Sequence, residues 1–215
     1  MPIDLEREKQ AAAEAAAPLV EDGMLVGLGT GSTVAYLLPA LAARNLSISC
    51  VSTSPRTEAA ARELGLPVEP FEGIGRLDIA IDGADQIAPD GWLVKGGGAA
   101  NTREKIVAAA ADRFVVIADS SKPVGALEPP IPLELHRFGL EATLAELRDA
   151  VLREGAGASP DGGVIADFFG EVKDPIVLAG RLSATPGVVD HGLFPPGLVA
   201  DVIVARGDDV EHTSP

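Results

Sequence analysis

The sequence predicts an α/β fold: a parallel sheet covered on both faces, with a smaller α+β domain inserted into it. Three observations predict it. Short, continuous apolar runs alternate with helical compositions as far as Lys122, the pattern of strands buried on both faces. Polar or glycine-rich clusters follow those runs, as loops at one sheet edge would. Beyond Lys122 the prolines 123, 129, 130 and 132 break the rhythm, and the order of elements changes.

An alanine-rich, charged segment from Asp4 to Val20 reads as the first helix, followed by an apolar run, Met24 to Leu28. Helical composition returns from Thr33 to Arg44, Leu46 to Val51 is β-like, Thr57 to Leu64 helical, and Leu77 to Ile81 β-like again. Leu93-Val94 reads as a brief strand, Thr102 to Ala111 as a helix, and Phe114 to Ala118 as a doubly buried strand. After the prolines come a strand at Ile131 to Leu135, a helix from Leu140 to Arg153, and a turn at Asp161-Gly162-Gly163. A strand at Val164 to Phe168, a helix at Asp174 to Leu182 and a strand near Val188 complete the small domain. The run Val199 to Ala205 returns to the main sheet. The expected domains are 1–127 plus 199–215 for the large one and 128–198 for the small one.

Composition narrows the function. The 47% hydrophobic content of the 215 residues suits a substantial core. A net charge of −15 argues against nucleic acid as a partner, because a binder must neutralise phosphates. Cys50 is the one cysteine, so an intrachain disulfide and a cysteine-based zinc site are both excluded; its apolar surroundings favour a buried strand residue over a nucleophile. The start, Met1 through Lys9, is charged and has no apolar stretch of the kind a signal peptide carries. No apolar run is long enough to span a bilayer, so a cytoplasmic protein without a membrane partner is expected. His136, His191 and His212 share no ligand spacing, and Trp92 and Tyr36 read as packing residues.

The densest chemistry lies in Lys95-Gly96-Gly97-Gly98-Ala99-Ala100-Asn101-Thr102-Arg103-Glu104-Lys105. Glycines let backbone amides approach an oxygen-rich ligand closely. Lys95 supplies a positive charge and Glu104 a proton-exchanging group. Glu104 has a second reading, with Asn101 as N-cap and Glu104 completing a capping box. Gly27-Leu28-Gly29-Thr30-Gly31-Ser32-Thr33 joins a strand to a helix, where free amides and the helix dipole favour anions. It lacks the third glycine of a dinucleotide fingerprint and the Gly-Lys-Ser/Thr of a P-loop; alternatively, Ser32 or Thr33 merely caps the helix. Asp82-Gly83-Ala84-Asp85 could bind sugar hydroxyls and move protons, hold a metal, or make an Asx turn. Ser52-Thr53-Ser54 and Asp119-Ser120-Ser121-Lys122 are weak motifs alone. Their shared position just past strands, together with that of the other two clusters, is the stronger signal.

Taken together, Gly29 to Thr33, Asp82 to Asp85, Lys95 to Lys105, Ala118 to Lys122, and Pro186-Gly187-Val188-Val189 with Gly192-Leu193-Phe194 resemble the type A ribose-5-phosphate isomerases. The resemblance implies a Rossmann-like domain with a smaller α+β domain, assembled as homodimers or homotetramers. It implies interconversion of ribose 5-phosphate and ribulose 5-phosphate without a metal or organic cofactor. Glu104 then matches the general base, while Asp82, Asp85 and Lys95 complete the catalytic set. Thr30, Gly31, Ser32, Thr33, Gly83, Ala84, Gly96, Gly97, Gly98 and Lys122 match substrate-contacting segments, and Lys9 matches a phosphate-binding lysine of the first helix. Three places depart from the family pattern: Gln86 stands where a glutamate is expected, Ser159-Pro160-Asp161-Gly162-Gly163 replaces Thr-Asp-Asn-Gly-Asn, and Asp190-His191 precedes Gly192. Two rival readings use the same residues: a sugar-phosphate sensor without turnover, and a coenzyme A transferase with a glutamate nucleophile.

Overall fold

The structure is a computed structural model that describes residues 4–214. Residues 1–3, the front of the charged start, and residue 215 lie outside them. Along the chain run α1 (Leu5–Ala16), β1 (Leu25–Leu28), α2 (Ser32–Ala42), β2 (Ser49–Ser52), α3 (Pro55–Glu63), β3 (Ile79–Asp82), β4 (Gln86–Ile87), β5 (Leu93–Val94) and α4 (Asn101–Ala110). Then come β6 (Phe114–Asp119), β7 (Ile131–Leu135), α5 (Leu140–Leu147), β8 (Ala150–Leu152), β9 (Val164–Phe168), α6 (Pro175–Ala184), β10 (Val188–His191), β11 (Leu193–Phe194), β12 (Asp201–Arg206) and β13 (Asp209–Thr213). The chain divides into two compact units: residues 1–84, 104–122 and 197–215, and residues 85–103 and 123–196.

The first unit holds a six-stranded sheet of order β13-β12-β6-β3-β1-β2. The four pairings along β12, β6, β3, β1 and β2 are parallel, and β13 adds antiparallel to β12 at the edge. Strand order therefore reverses between β1 and β3, which lie side by side while the chain leaves them in opposite directions. Ligands of open α/β sheets bind at such a point, outside the strands' carboxyl ends. β3 and β6 are buried along their whole length, as their unbroken apolar runs require. Leu28, Ile79, Ile81, Val115 and Ile117 pack with Ala12, Ala13 and Ala16 of α1 and Leu37 and Leu41 of α2. Asp4 caps α1 by accepting from the Arg7 amide at 3.2 Å, and Ser54 caps α3 through the Thr57 amide.

The second unit has an antiparallel sheet, β10-β7-β9-β8, and a three-stranded one, β11-β5-β4. Leu133, Leu135, Leu147, Ala166, Phe168, Leu178 and Leu182 form its core with Trp92 and Leu193. This division differs from the expected one at residues 123–127 and 197–198 and, chiefly, at 85–103, where β5 pairs with β11 on one side and β4 on the other. The expected helix Leu140 to Arg153 is also corrected. It ends at Leu147, Arg148 takes a positive φ of 62°, and Ala150–Leu152 form β8. Val151 and Leu152 supply strand-compatible side chains, and β9 supplies the partner that a local reading cannot see. The short strands β4 and β11 and the terminal strand β13 are additions to the sequence reading. Among the described residues no helix is long and apolar enough to cross a membrane.

Candidate active site

In the first unit, the four polar clusters follow the carboxyl ends of parallel strands β1, β2, β3 and β6. At the reversal point, Asp82 Oδ1 accepts the Thr30 amide at 3.0 Å and the Gly83 amide at 2.7 Å. The approach is so close that a Cβ on Gly29 would sit 1.9 Å from Asp82 Cγ. Glycine at position 29 is thus dictated by the neighbouring carboxylate. Thr30 Oγ1 donates to Ser54 Oγ at 2.7 Å and lies 2.7 Å from Thr53 Oγ1, which ties the loop after β1 to the loop after β2. Thr53 and Ser54 are buried, so they brace the site rather than face it.

Gly31 is the N-cap residue of α2, at φ +146°, and no side chain caps the helix. The alternative in which Ser32 or Thr33 merely caps α2 is therefore removed. Ser32 is exposed and Thr33 buried in the first turn. After β6, Asp119 Oδ1 accepts the Ser121 amide at 2.9 Å, an Asx turn that leads into half-buried Lys122. Lys9 Nζ donates to Glu6 Oε1 at 2.5 Å, and Tyr36 Oη donates to Glu6 Oε2 at 2.9 Å. Glu6 thus joins Lys9 to α2 one turn past Ser32 and Thr33. Lys9, and then Tyr36, hold the Glu6 carboxyl below its ordinary range.

Glu104 is 2% exposed, on α4. Helix α4 runs against the strand direction: the Ala110 carbonyl accepts from the Leu77 amide, ahead of β3. A Cβ on Gly27 of β1 would meet Val107 Cγ1 at 2.5 Å. One turn earlier, Glu104 is displaced from Val107 by ~4.5 Å along the helix, toward the sheet edge where Gly29 and Asp82 lie. The capping-box reading is corrected. Asn101 is the first residue of α4, fully buried, and neither its Oδ1 nor its Nδ2 has a hydrogen-bond partner.

In the second unit, Asp85 is exposed, and its Oδ2 accepts the Gly97 amide at 2.8 Å. Gly96 adopts φ +102°, and a Cβ there would lie 2.7 Å from Asn101 Cβ. Lys95 is 2% exposed, with its Nζ 5.5 Å from the Phe194 ring centroid and its amide donating to the Gly192 carbonyl. A Cβ on Gly192 would lie 2.1 Å from the Lys95 carbonyl oxygen, which accounts for Gly192-Leu193-Phe194. Sequence reasoning missed Arg153. Its Nη1 donates to the Gly96 and Gly97 carbonyls at 3.2 and 3.1 Å, while Asp167 grips its guanidinium at 2.8 and 2.6 Å. Gly98 is exposed, and Ala84, at the end of the first unit's stretch, is half-buried.

The departures have local causes. Gln86 donates to the Glu128 carbonyl and accepts the Glu128 amide, both at 2.8 Å; a glutamate could not do both when ionised. Ser159 Oγ accepts the Gly163 amide at 2.9 Å, and a Cβ at Gly163 would lie 2.3 Å from Glu134 Oε1. Asp161 receives Arg103 in a two-point ion pair at 2.8 and 2.6 Å. His191 Nδ1 accepts the Leu193 amide, which leaves the Nε2 proton of the neutral ring for Ser183 Oγ at 3.1 Å. Cys50 is fully buried, and burial pushes its thiol up to about 12, as a packing residue requires.

Residues 49–209 match the family model of ribose 5-phosphate isomerase A (phosphoriboisomerase A). Ribose-5-phosphate isomerase A of Caulobacter vibrioides is 44% identical, over 97% of this chain and 98% of its own. The solved ribose 5-phosphate isomerase A of Methanocaldococcus jannaschii superposes with a TM-score of 0.92 at 34% identity, covering 98% of this chain and 99% of that one. A D-ribose-5-phosphate isomerase solved in complex with phospho-erythronic acid gives 0.93 at 33% identity, covering 99% and 100%. With agreement in sequence, fold and full length, this chain belongs to the ribose 5-phosphate isomerase A family.

Proposed function

We propose that this protein interconverts ribose 5-phosphate and ribulose 5-phosphate by moving a proton between C2 and C1 through an enediolate, with Glu104 as the base. The observation that carries the reading is the hydrogen bond from the Thr30 amide to Asp82, where strand order reverses. It sets a carboxylate beside a loop of amides and hydroxyls at the edge where such sheets take ligands. A relative that binds a phosphorylated four-carbon acid supports the same ligand class.

The roles follow from chemistry. Gly31, Ser32 and Thr33 at the uncapped start of α2, with Lys9 and Lys122, hold the phosphate and so fix which carbons face the base. Asp82 accepts hydroxyl protons and assists ring opening. Gly83 and Ala84 shape its turn, and Asp85 shares the hydroxyl work. Negative charge develops on the C1 and C2 oxygens, and Lys95 with amides of Gly96 to Gly98 stabilises it. Gly97 already donates its amide to Asp85, so Gly96 and Gly98 carry most of the amide contribution. The cycle has no metal or organic cofactor. The protein acts in the cytoplasm as a homodimer or homotetramer, without nucleic acid or membrane.

The test is ketose formation from ribose 5-phosphate by purified protein, in EDTA, beside Glu104→Gln. The parent turns over undiminished by EDTA, and the variant loses about 10²–10⁴-fold in kcat while remaining folded. Inhibition by EDTA that divalent metal reverses overturns the metal-free step. A folded parent that binds ribose 5-phosphate without converting it is a sensor, and the isomerase reading fails.

A further inference from the structure

Glu8 belongs to none of the motifs above, yet it is one of the most constrained carboxylates in the first unit. It lies on α1, 3% exposed, one residue before Lys9. Its two oxygens serve two distant segments. Oε2 accepts the Ser120 amide at 2.9 Å, and Oε1 accepts the Gly207 amide at 2.7 Å. Ser120 opens the turn that carries Lys122. Gly207, at φ +60°, makes the hairpin between β12 and β13. The hydrogen bonds with Ser120, then with Gly207, hold the Glu8 carboxyl below its ordinary range, so it is anionic at neutral pH. An ionised acceptor makes each bond stronger than a neutral one. A surface helix position would ordinarily be left to solvent, and a buried one to an apolar side chain. A buried carboxylate costs desolvation unless its bonds are worth more.

We propose that Glu8 is a positioning residue that fixes the α1 segment bearing Lys9 against the loop bearing Lys122, and so sets the geometry of the phosphate subsite. The inference rests on the isomerase reading and on those two lysines holding the phosphate. Glu8 touches no substrate atom. It works through the Ser120 amide on one side and through its own helix on the other. Glu6 meanwhile ties Lys9 to Tyr36 on α2. The cation is thereby referenced to both of the other segments that would face a phosphate.

Glu8→Gln keeps the shape and replaces one acceptor oxygen by an NH₂ group that cannot accept from an amide. It therefore loses one of the two bonds. Michaelis constants for ribose 5-phosphate and inhibition constants for inorganic phosphate are measured together with kcat and thermal melting. The expected result is a KM and a phosphate inhibition constant both raised about five- to twenty-fold, with kcat within about twofold. Unchanged KM and phosphate inhibition in a folded Glu8→Gln variant overturn the inference. A kcat that falls with KM unmoved overturns it as well. If Glu8→Gln does not fold, Glu8→Asp, which keeps the charge but loses reach, is measured in the same way and judged by the same outcomes. Absence of turnover in the parent protein fails the isomerase reading itself, a result distinct from either.

Discussion

Two glycine loops in this molecule are held by the same device and end up doing different work. In the loop after β1, the Thr30 amide donates to Asp82, and Gly29 is pressed against that carboxylate. In the loop after β5, the Gly97 amide donates to Asp85, and a Cβ on Gly97 would lie 2.7 Å from Asp85 Oδ1. The difference is burial. Asp82 is buried at a sheet edge, whereas Asp85 is exposed and its loop needs a second grip, supplied by Arg153 on the Gly96 and Gly97 carbonyls. The first loop is anchored through Thr30 and leads to the start of α2, which no side chain caps and where Gly31 and Ser32 are exposed. The second is held from both sides and presents a single buried cation, Lys95. The pair Asp82 and Asp85 thus reads as one motif in sequence but as two separate clamps in structure.

The comparison can be broken most sharply at Gly29. Gly29→Ala drives a Cβ into the body of a buried carboxylate, with no room to yield, and should cost about 3 kcal/mol in urea unfolding. Arg153→Gln comes next. It leaves Asp167 without its partner and frees the Gly96 and Gly97 carbonyls, which should cost about 2 kcal/mol and lower kcat/KM about tenfold. A variant with parental kinetics would show that the second loop holds itself.

Asp201 provides a control away from both loops. Arg113, and then His212, hold its carboxyl down to about 2. Its folded value lies below the ordinary ~3.9, so the stabilisation is present above that value and is lost as pH falls toward 2. Asp201→Asn should therefore cost about 2 kcal/mol at pH 7, a deficit that shrinks between pH 4 and 2, with steady-state kinetics unmoved. The smallest effect belongs to Gly97→Ala. The exposed Asp85 side chain can rotate away, so the cost should be about 1 kcal/mol, measured by the same urea titration. A cost equal to that of Gly29→Ala would erase the distinction between the two clamps.

Much of this was legible in the sequence because it is local. Apolar runs placed β1, β3, β6, β7 and β9, and the position of polar clusters after four of those runs or their neighbours placed the site edge. What escaped depends on partners far along the chain. Ala150–Leu152 reads as the end of a helix until β9 is beside it. Residues 85–103 read as part of the parallel-sheet domain until β11 pairs with β5. Arg153 and Glu8 look like solvated charges on helices, since nothing nearby in sequence announces Gly96, Asp167, Ser120 or Gly207. Asn101 shows the opposite error: a good local N-cap residue that the structure buries inside the first turn of α4.

The central claim is that Glu104 carries the proton between C2 and C1. The most direct test is exchange at those carbons, followed by NMR, with ribose 5-phosphate incubated in deuterium oxide with the parent or with Glu104→Gln. The account predicts deuterium appearing at C2 of the aldose and C1 of the ketose with the parent, and exchange slowed by about 10²–10⁴-fold in the folded variant. Exchange at the parental rate in Glu104→Gln would contradict it and assign the proton transfer to another group.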